Sequence, residues 1–218
     1  MTVTMTVLKD RKDWLQHRHS YIGGSDASAI VAMNPYMTNI DLWEIKTGIR
    51  VPEDISKKDY VQYGTKAEKH LRDLFKLDYP QYKVEYKANN SWHNDKYPWA
   101  AASLDGVLTE KETGRKGILE IKTTNILQSM QKEKWNHRIP DSYFCQICHY
   151  LAVTEFEFAK LRAQLKSEFD GEVYLQTKTY TIEKSEILED IEYLMNEEKK
   201  FWEYVERRKR PGLVLPMI

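Results

Sequence analysis

The sequence predicts a mixed α/β domain with a sheet at its centre. Three observations carry this. The first third has helical periodicity, strand-like runs cluster between about 82 and 124, and an inserted helix, two more strands and one long amphipathic helix follow. At 218 residues the chain is long enough for one sizeable core and short for two, so residues 1–218 read as a single domain.

Taken in order, residues 10–19 form a short helix anchored by Trp14 and Leu15. "YIGGSDASAIVAMNP" is a tight turn entering a second helix, with Gly23 and Gly24 at the turn, Ser25 or Asp26 as cap and Pro35 as stop. "TNIDLWEIKTG" is a third helix closed by Gly48, and "VPEDISKKD" a polar loop. From Asp59 to Leu77, Val61, Ala67, Leu71, Leu74 and Phe75 fall on one helical face. "YKVEYKANN", "PWAAASLDGVL" and "KGILEIKTT" read as strands, the last two joined by a hairpin around Gly114. Trp92 falls in a loop anchored in the core, and Asp95 in a turn. Pro140-Asp141 starts a helix to about Leu151. "EFEFAKLRAQL" and "VYLQTKTYTI" are two further strands. Ser185 caps a final helix with Ile187, Leu188, Ile191, Leu194, Phe201 and Val205 on its apolar face. "ERRKR", 206–210, reads as a solvated end.

Hydrophobic residues make up 41% and charged residues 30%, and 33 basic residues balance 33 acidic ones. Any basic surface must therefore be local. No apolar run approaches the roughly 20 residues that span a bilayer. The N-terminus shows no export signal, so the expected location is cytoplasmic, without a membrane partner. Two cysteines, Cys145 and Cys148, are too few for a four-thiolate iron–sulfur cluster. His17 and His19 suit no zinc pattern and read as surface.

The chemistry concentrates in "SLDGVLTEKETGRKGILEIKTT". Strand side chains alternate, so Glu120 and Lys122 share one face while Leu119 and Ile121 take the other. If the Asp105 and Glu120 strands pair, their carboxylates converge. Two carboxylates and a strand carbonyl suit Mg²⁺ or Mn²⁺. Glu68 shares a helix stripe with Gly64, Leu71 and Arg72, and a small residue one turn earlier lets that helix approach the sheet. In "QICHY", Gln146 and Tyr150 share a helix face. In "HRHSYIGGSDAS", the Gly-Gly turn, the Ser25 hydroxyl and the Arg18 guanidinium suit an anion. Taken singly, each has an ordinary reading as a solvated hairpin, a surface carboxylate or a capped helix. Their combination points to a site.

That combination resembles the YqaJ-type viral recombinase family, the phage group that includes lambda exonuclease and has the PD-(D/E)xK nuclease fold. "WLQHRHSYIGGSDASAIVAMNPY…LWEIKTG", "YGTKAEKHLRDLF", "SLDG…LEIKTT" and "YFCQICHY" carry the likeness in order over about residues 10–165, with a strand and long helix at 173–207 appended. The resemblance implies a single nuclease domain that digests one strand of linear double-stranded DNA processively from 5′ to 3′. It also implies Mg²⁺, with Mn²⁺ as substitute, a homotrimeric ring, a single-strand annealing partner (RecT- or Beta-like) and a phage or prophage origin. Residue by residue, it implies metal ligation by Asp105, Glu120, the Ile121 carbonyl and Glu68, with Lys122 as catalytic lysine and Gln146 beside the metal. Arg18 and Ser25, with Ser103, would hold the 5′-phosphate. Leu104-Asp105 stands where the fold's name has Pro-Asp. An endonuclease or nickase on the same fold, and a non-catalytic DNA-end-binding module, are the alternatives.

Overall fold

The computed structural model describes residues 2–127 and 129–216, and the side chains of all of these but Ser129 and Met130. Its elements in chain order are β1 (Val3–Val7), α1 (Arg11–His19), β2 (Ile22–Gly23), α2 (Gly24–Ile30), α3 (Asn39–Lys46), α4 (Asp59–Asp78), β3 (Tyr82–Glu85) and β4 (Asn90–Asn94). They continue with β5 (Ala100–Ala101), β6 (Gly106–Glu110), β7 (Lys116–Ile126), α5 (Ser129–Glu133), α6 (Asp141–Thr154), β8 (Phe158–Phe169), β9 (Glu172–Glu183) and α7 (Leu188–Glu206).

Five strands form the central sheet in the order β3-β6-β7-β8-β9. Within this sheet the β7–β8 pair is parallel and the other pairs are antiparallel, because α6 supplies the crossover that a parallel connection needs. Alternation along β7 sorts its residues as expected. Leu119 and Ile121 join Leu71 and Phe75 of α4 in one apolar cluster. Ile118, with Ala159 and Leu161 of β8, packs against Ile147 and Leu151 of α6 on the other face. The sheet is thus held between α4 and α6, and Glu120 and Lys122 point toward α6. A third cluster joins α2, α3 and α7 through Ile22, Ile30, Leu42, Trp43, Phe201 and Val205.

Several expectations are corrected. The N-terminal "VTMTV" forms an antiparallel ribbon with β4, so the expected loop around Trp92 is a strand. Trp92 is core-anchored as expected, edge-on to Phe156 at 5.4 Å. The strand expected across 98–108 breaks into β5 and β6, which leaves Ser103–Asp105 outside both strands. Leu74 is 48% exposed because α4 buries only the stripe through Leu71 and Phe75. Ser185 lies in a 3₁₀ turn and caps nothing, and α7 starts at Leu188, itself exposed. Residues 206–210 are exposed and Asp95 is in a turn, as expected.

Candidate active site

The sheet, α1, α2, α4 and α6 enclose a cavity of about 460 Å³. Every residue singled out from the sequence as a site candidate lines it: Arg18, Ser25, Glu68, Ser103, Asp105, Glu120, Ile121, Lys122 and Gln146.

Two close approaches shape the cavity. A Cβ on Gly24 would stand 2.4 Å from Tyr150 Cε1 and 2.9 Å from Gln146 Cγ, so only glycine lets α2 lie against α6 there. A Cβ on Gly64 would meet Thr123 Oγ1 at 3.0 Å, so glycine brings α4 onto β7 and Glu68 toward the acids.

β6 and β7 pair with Gly106 opposite Leu119, which puts Asp105 and Glu120 at the same end of the hairpin. Asp105 Oδ2 accepts from the Ile121 N–H at 2.8 Å. Arg72 Nε donates to the Asp105 carbonyl at 2.6 Å, and Arg72 Nη2 pairs with Glu68. Glu120 Oε1 receives Lys122 Nζ at 2.7 Å and Gln146 Nε2 at 2.8 Å, and Gln146 also donates to Tyr150 Oη at 2.9 Å. Glu120 Oε2 is buried without a hydrogen-bond partner.

The electrostatics follow from three acids close together, of which Glu120 is buried and Asp105 and Glu68 are partly so. Burial, then the neighbouring Asp105, pushes the Glu120 carboxyl up to about 8. Burial likewise raises Asp105, against the pull of Lys122, the Ile121 N–H and Arg72. Glu68 is raised by burial and by Asp105. Burial alone would lower Lys122, but Glu120, Tyr143 and Asp105 together hold its ammonium above the usual lysine value. The cluster is short of positive charge.

Among the described residues, no group of three or more His, Cys, Asp or Glu side chains is arranged to hold a metal ion as it stands. Each acid is turned to a neighbour: Glu68 to Arg72, Asp105 to Ile121 and Glu120 to Lys122. The orphaned Glu120 Oε2 and the raised acids nevertheless fit a hard divalent cation, which would favour their ionised forms.

At the α1–α2 end, Arg18 Nη2 donates to Ser25 Oγ. What holds that pair comes from α3, outside the motif that contains it. Lys46 Nζ, on α3 and almost wholly buried, donates to Tyr21 O at 2.6 Å and Arg18 O at 3.1 Å, and pairs with Asp26 at 2.8 Å. Asp26 also accepts from Gly23 N–H at 3.0 Å and lies 3.8 Å from Arg18. Burial would raise Asp26, but Lys46 and Arg18 outweigh it and keep it ionised. Ser103 was expected to donate to phosphate. Its hydroxyl instead donates to Asn90 O at 2.6 Å and accepts from Trp14 Nε1 at 2.9 Å. Trp14 carries the Arg11 guanidinium on its ring, 4.1 Å from the centroid.

Cys145 and Cys148 are both buried, and burial pushes the Cys145 thiol up to about 12. His17, expected at the surface, is half-buried against Ser91 and His93. His19 is exposed as expected.

The family model of the YqaJ-like viral recombinase domain matches residues 13–157. The chain belongs to that family. The uncharacterized protein YqaJ of Bacillus subtilis (strain 168) is 35% identical over 150 residues, 69% of this chain. The chain spans 44% of the length of that relative. Solved structures share the fold. An alkaline exonuclease from Laribacter hongkongensis superposes with a TM-score of 0.62 at 15% identity, covering 90% of this chain and 93% of its own. The same enzyme in complex with dAMP gives a TM-score of 0.59 at 15% identity, covering 91% and 96%. A phage-related exonuclease from Haemophilus somnus 129PT gives 0.55 at 12% identity, covering 86% and 96%. Among the described residues, no helix is long and apolar enough to cross a membrane.

Proposed function

We propose that this member of the YqaJ-like family is a metal-dependent exonuclease of the PD-(D/E)xK kind that digests one strand of linear double-stranded DNA from its 5′ end. The observation that carries the reading is one cavity shared by an acid–lysine cluster, Asp105, Glu120 and Lys122, and an Arg18–Ser25 pair at its other end. The family membership and the fold shared with solved exonucleases support it.

Glu68, Asp105, Glu120 and the Ile121 carbonyl would hold Mg²⁺, with Mn²⁺ as substitute. When bound, such an ion supplies Lewis-acid charge at the phosphate and lowers the pKa of coordinated water. Lys122 keeps its proton, so its Nζ serves as a cationic donor to the charge that builds on the scissile phosphate. Gln146 positions the Glu120 carboxylate through the bond from Nε2 to Oε1. Arg18 offers a planar donor fork to a terminal phosphate. Ser25 Oγ accepts from Arg18, so its own O–H is free to donate to that phosphate. Ser103 acts at one remove, by fixing Trp14 in the cavity wall.

A pocket for a free 5′-phosphate sets the direction, since an endonuclease has no end to hold. The product is a 3′ single-stranded tail, suited to a single-strand annealing protein. A homotrimeric ring around the duplex and a cytoplasmic phage or prophage setting complete the proposal.

The test is digestion of linear duplex labelled at either end, in Mg²⁺ and in chelator, beside a covalently closed circle. Mononucleotides released from the 5′ end in Mg²⁺ alone, with the circle intact, are expected. A cut circle would mean an endonuclease on this fold. End binding without cleavage in any divalent ion would mean a binding module.

A further inference from the structure

Two histidines from distant parts of the chain meet beside the cavity, whose wall includes His17 and Ser91. His17 lies on α1 and His93 on β4, and their Nε2 atoms are 3.1 Å apart. Ser91 Oγ lies 3.1 Å from His17 Nε2 and 3.0 Å from His93 Nε2. The three atoms form a nearly equilateral triangle. Tyr21 packs against both rings, with centroids at 4.9 and 4.8 Å, and Ser91 is buried, so the arrangement is held on several sides.

The Ser91 hydroxyl donates to one ring and accepts from the other, which leaves the direct Nε2–Nε2 contact at 3.1 Å without a role. A ring nitrogen has either one N–H or one in-plane lone pair, yet each here has two polar neighbours at almost equal distance. Two imidazole nitrogens this close, beside a hydroxyl oxygen, lie within reach of one shared cation. A point about 2.0–2.1 Å from all three atoms, the usual zinc–imidazole distance, lies roughly 1 Å out of their plane. Imidazole nitrogen selects zinc, nickel or copper over magnesium, which prefers oxygen. Burial lowers the pKa of both rings, and His17 lowers His93 further, so the neutral, ligating form prevails. Among the described residues no third His, Cys, Asp or Glu completes the set, which leaves positions open for water.

We propose that His17 and His93, with Ser91 Oγ as a weaker third contact, form a binding site for a divalent transition-metal ion of the zinc, nickel and copper class, distinct from the oxygen site at Asp105 and Glu120. The proposal does not depend on the nuclease reading. An ion there would tie α1 to β4, and so fix the helix that carries Arg18.

The test titrates the full chain, stripped by chelator, with Co²⁺ by visible absorption and with Zn²⁺ against a chromophoric chelator. One equivalent is expected at this site, with absorption bands typical of imidazole nitrogen ligation. His17→Gln and His93→Gln should each weaken Zn²⁺ by about tenfold or more, whereas Glu120→Gln should leave it unchanged. Circular dichroism melts verify that each variant is folded, and His17→Gln, on half-exposed α1, stands in if the β4 variant is not. Zn²⁺ affinity unaltered in the folded histidine variants would overturn the proposal. So would its loss in Glu120→Gln, or no uptake by the folded wild type.

Discussion

Lys122 Nζ stands 2.7 Å from Glu120 Oε1, two residues apart on one face of β7, yet the carboxyl it contacts is pushed up to about 8. One ammonium does not offset burial and a second acid. As pH rises from the ordinary glutamate range toward 8, the unfolded chain ionises Glu120 and the folded one resists. The folded state therefore loses stability across that window.

Glu120→Gln removes this penalty. Each tenfold weakening of an acid by folding is worth about 1.4 kcal/mol, and Asp105 shares the load. A gain on the order of 2 kcal/mol at pH 8–9 is expected, or roughly 4–8 °C in Tm for a chain of this size. Thermal melts at pH 4 and pH 8.5 check it. The gain should be confined to the higher pH, and hydrolysis should be lost in the same variant.

Arg18→Ala should lower the rate on 5′-phosphorylated ends by about 10–100-fold, the worth of a hydrogen bond to a charged group, and leave 5′-hydroxyl ends nearly unaffected. Lys46→Met should reproduce that selective loss without touching DNA, because Lys46 holds the Arg18 and Tyr21 carbonyls and Asp26 in register. Rates on the two end types, measured in parallel, check both. Equal rates on both ends in the wild type would remove the phosphate pocket.

His149 Nδ1 lies 2.8 Å from Glu198 Oε1, and its Nε2 lies 3.0 Å from Ala101 O, with both side chains wholly buried. This pair joins α6 to α7 and to β5. Burial would lower His149, but Glu198 and the Ala101 carbonyl outweigh it and raise it above 6.5. The raised value means a contribution fully present below pH 6.5 and lost as pH rises through the folded value. Glu198→Ala should cost about 3–5 kcal/mol at pH 6. The gap in Tm from wild type should narrow as pH rises. A gap that does not change with pH would mean that His149 carries no proton for Glu198.

Gly24→Ala should destabilise by about 1–3 kcal/mol, the usual penalty for an overpacked contact. Its Cβ meets Tyr150 and Gln146. Hydrolysis should fall too, since Gln146 positions Glu120. An unchanged melt would show that α2 and α6 lie further apart than this contact implies.

What was legible in the sequence was local or periodic. The alternation in "GILEIKTT" placed Glu120 and Lys122 on one face, and helical spacing joined Gln146 to Tyr150 and Glu68 to Gly64. What was not legible depends on distant pairing. "VTMTV" carries the Val/Thr alternation of a strand, but its partner lies some ninety positions away, so the pairing itself is not legible locally. Lys46 belongs to no motif, and its role emerges only when α3 is laid against the Gly-Gly turn. Ser103 reads as a free hydroxyl until Trp14 and Asn90 close on it. His17 and His93 reveal their contact only once α1 meets β4.

The most direct test of the central claim is single-turnover hydrolysis of a 5′-phosphorylated linear duplex in Mg²⁺ by wild type and Lys122→Met, with DNA affinity measured alongside. The account predicts 5′-terminal release by the wild type and a fall of about 10²–10³-fold in the variant, at near-unchanged affinity and with a native melt. Undiminished hydrolysis by Lys122→Met would contradict it, because the acid–lysine cluster on β7 would then not be where the bond is broken.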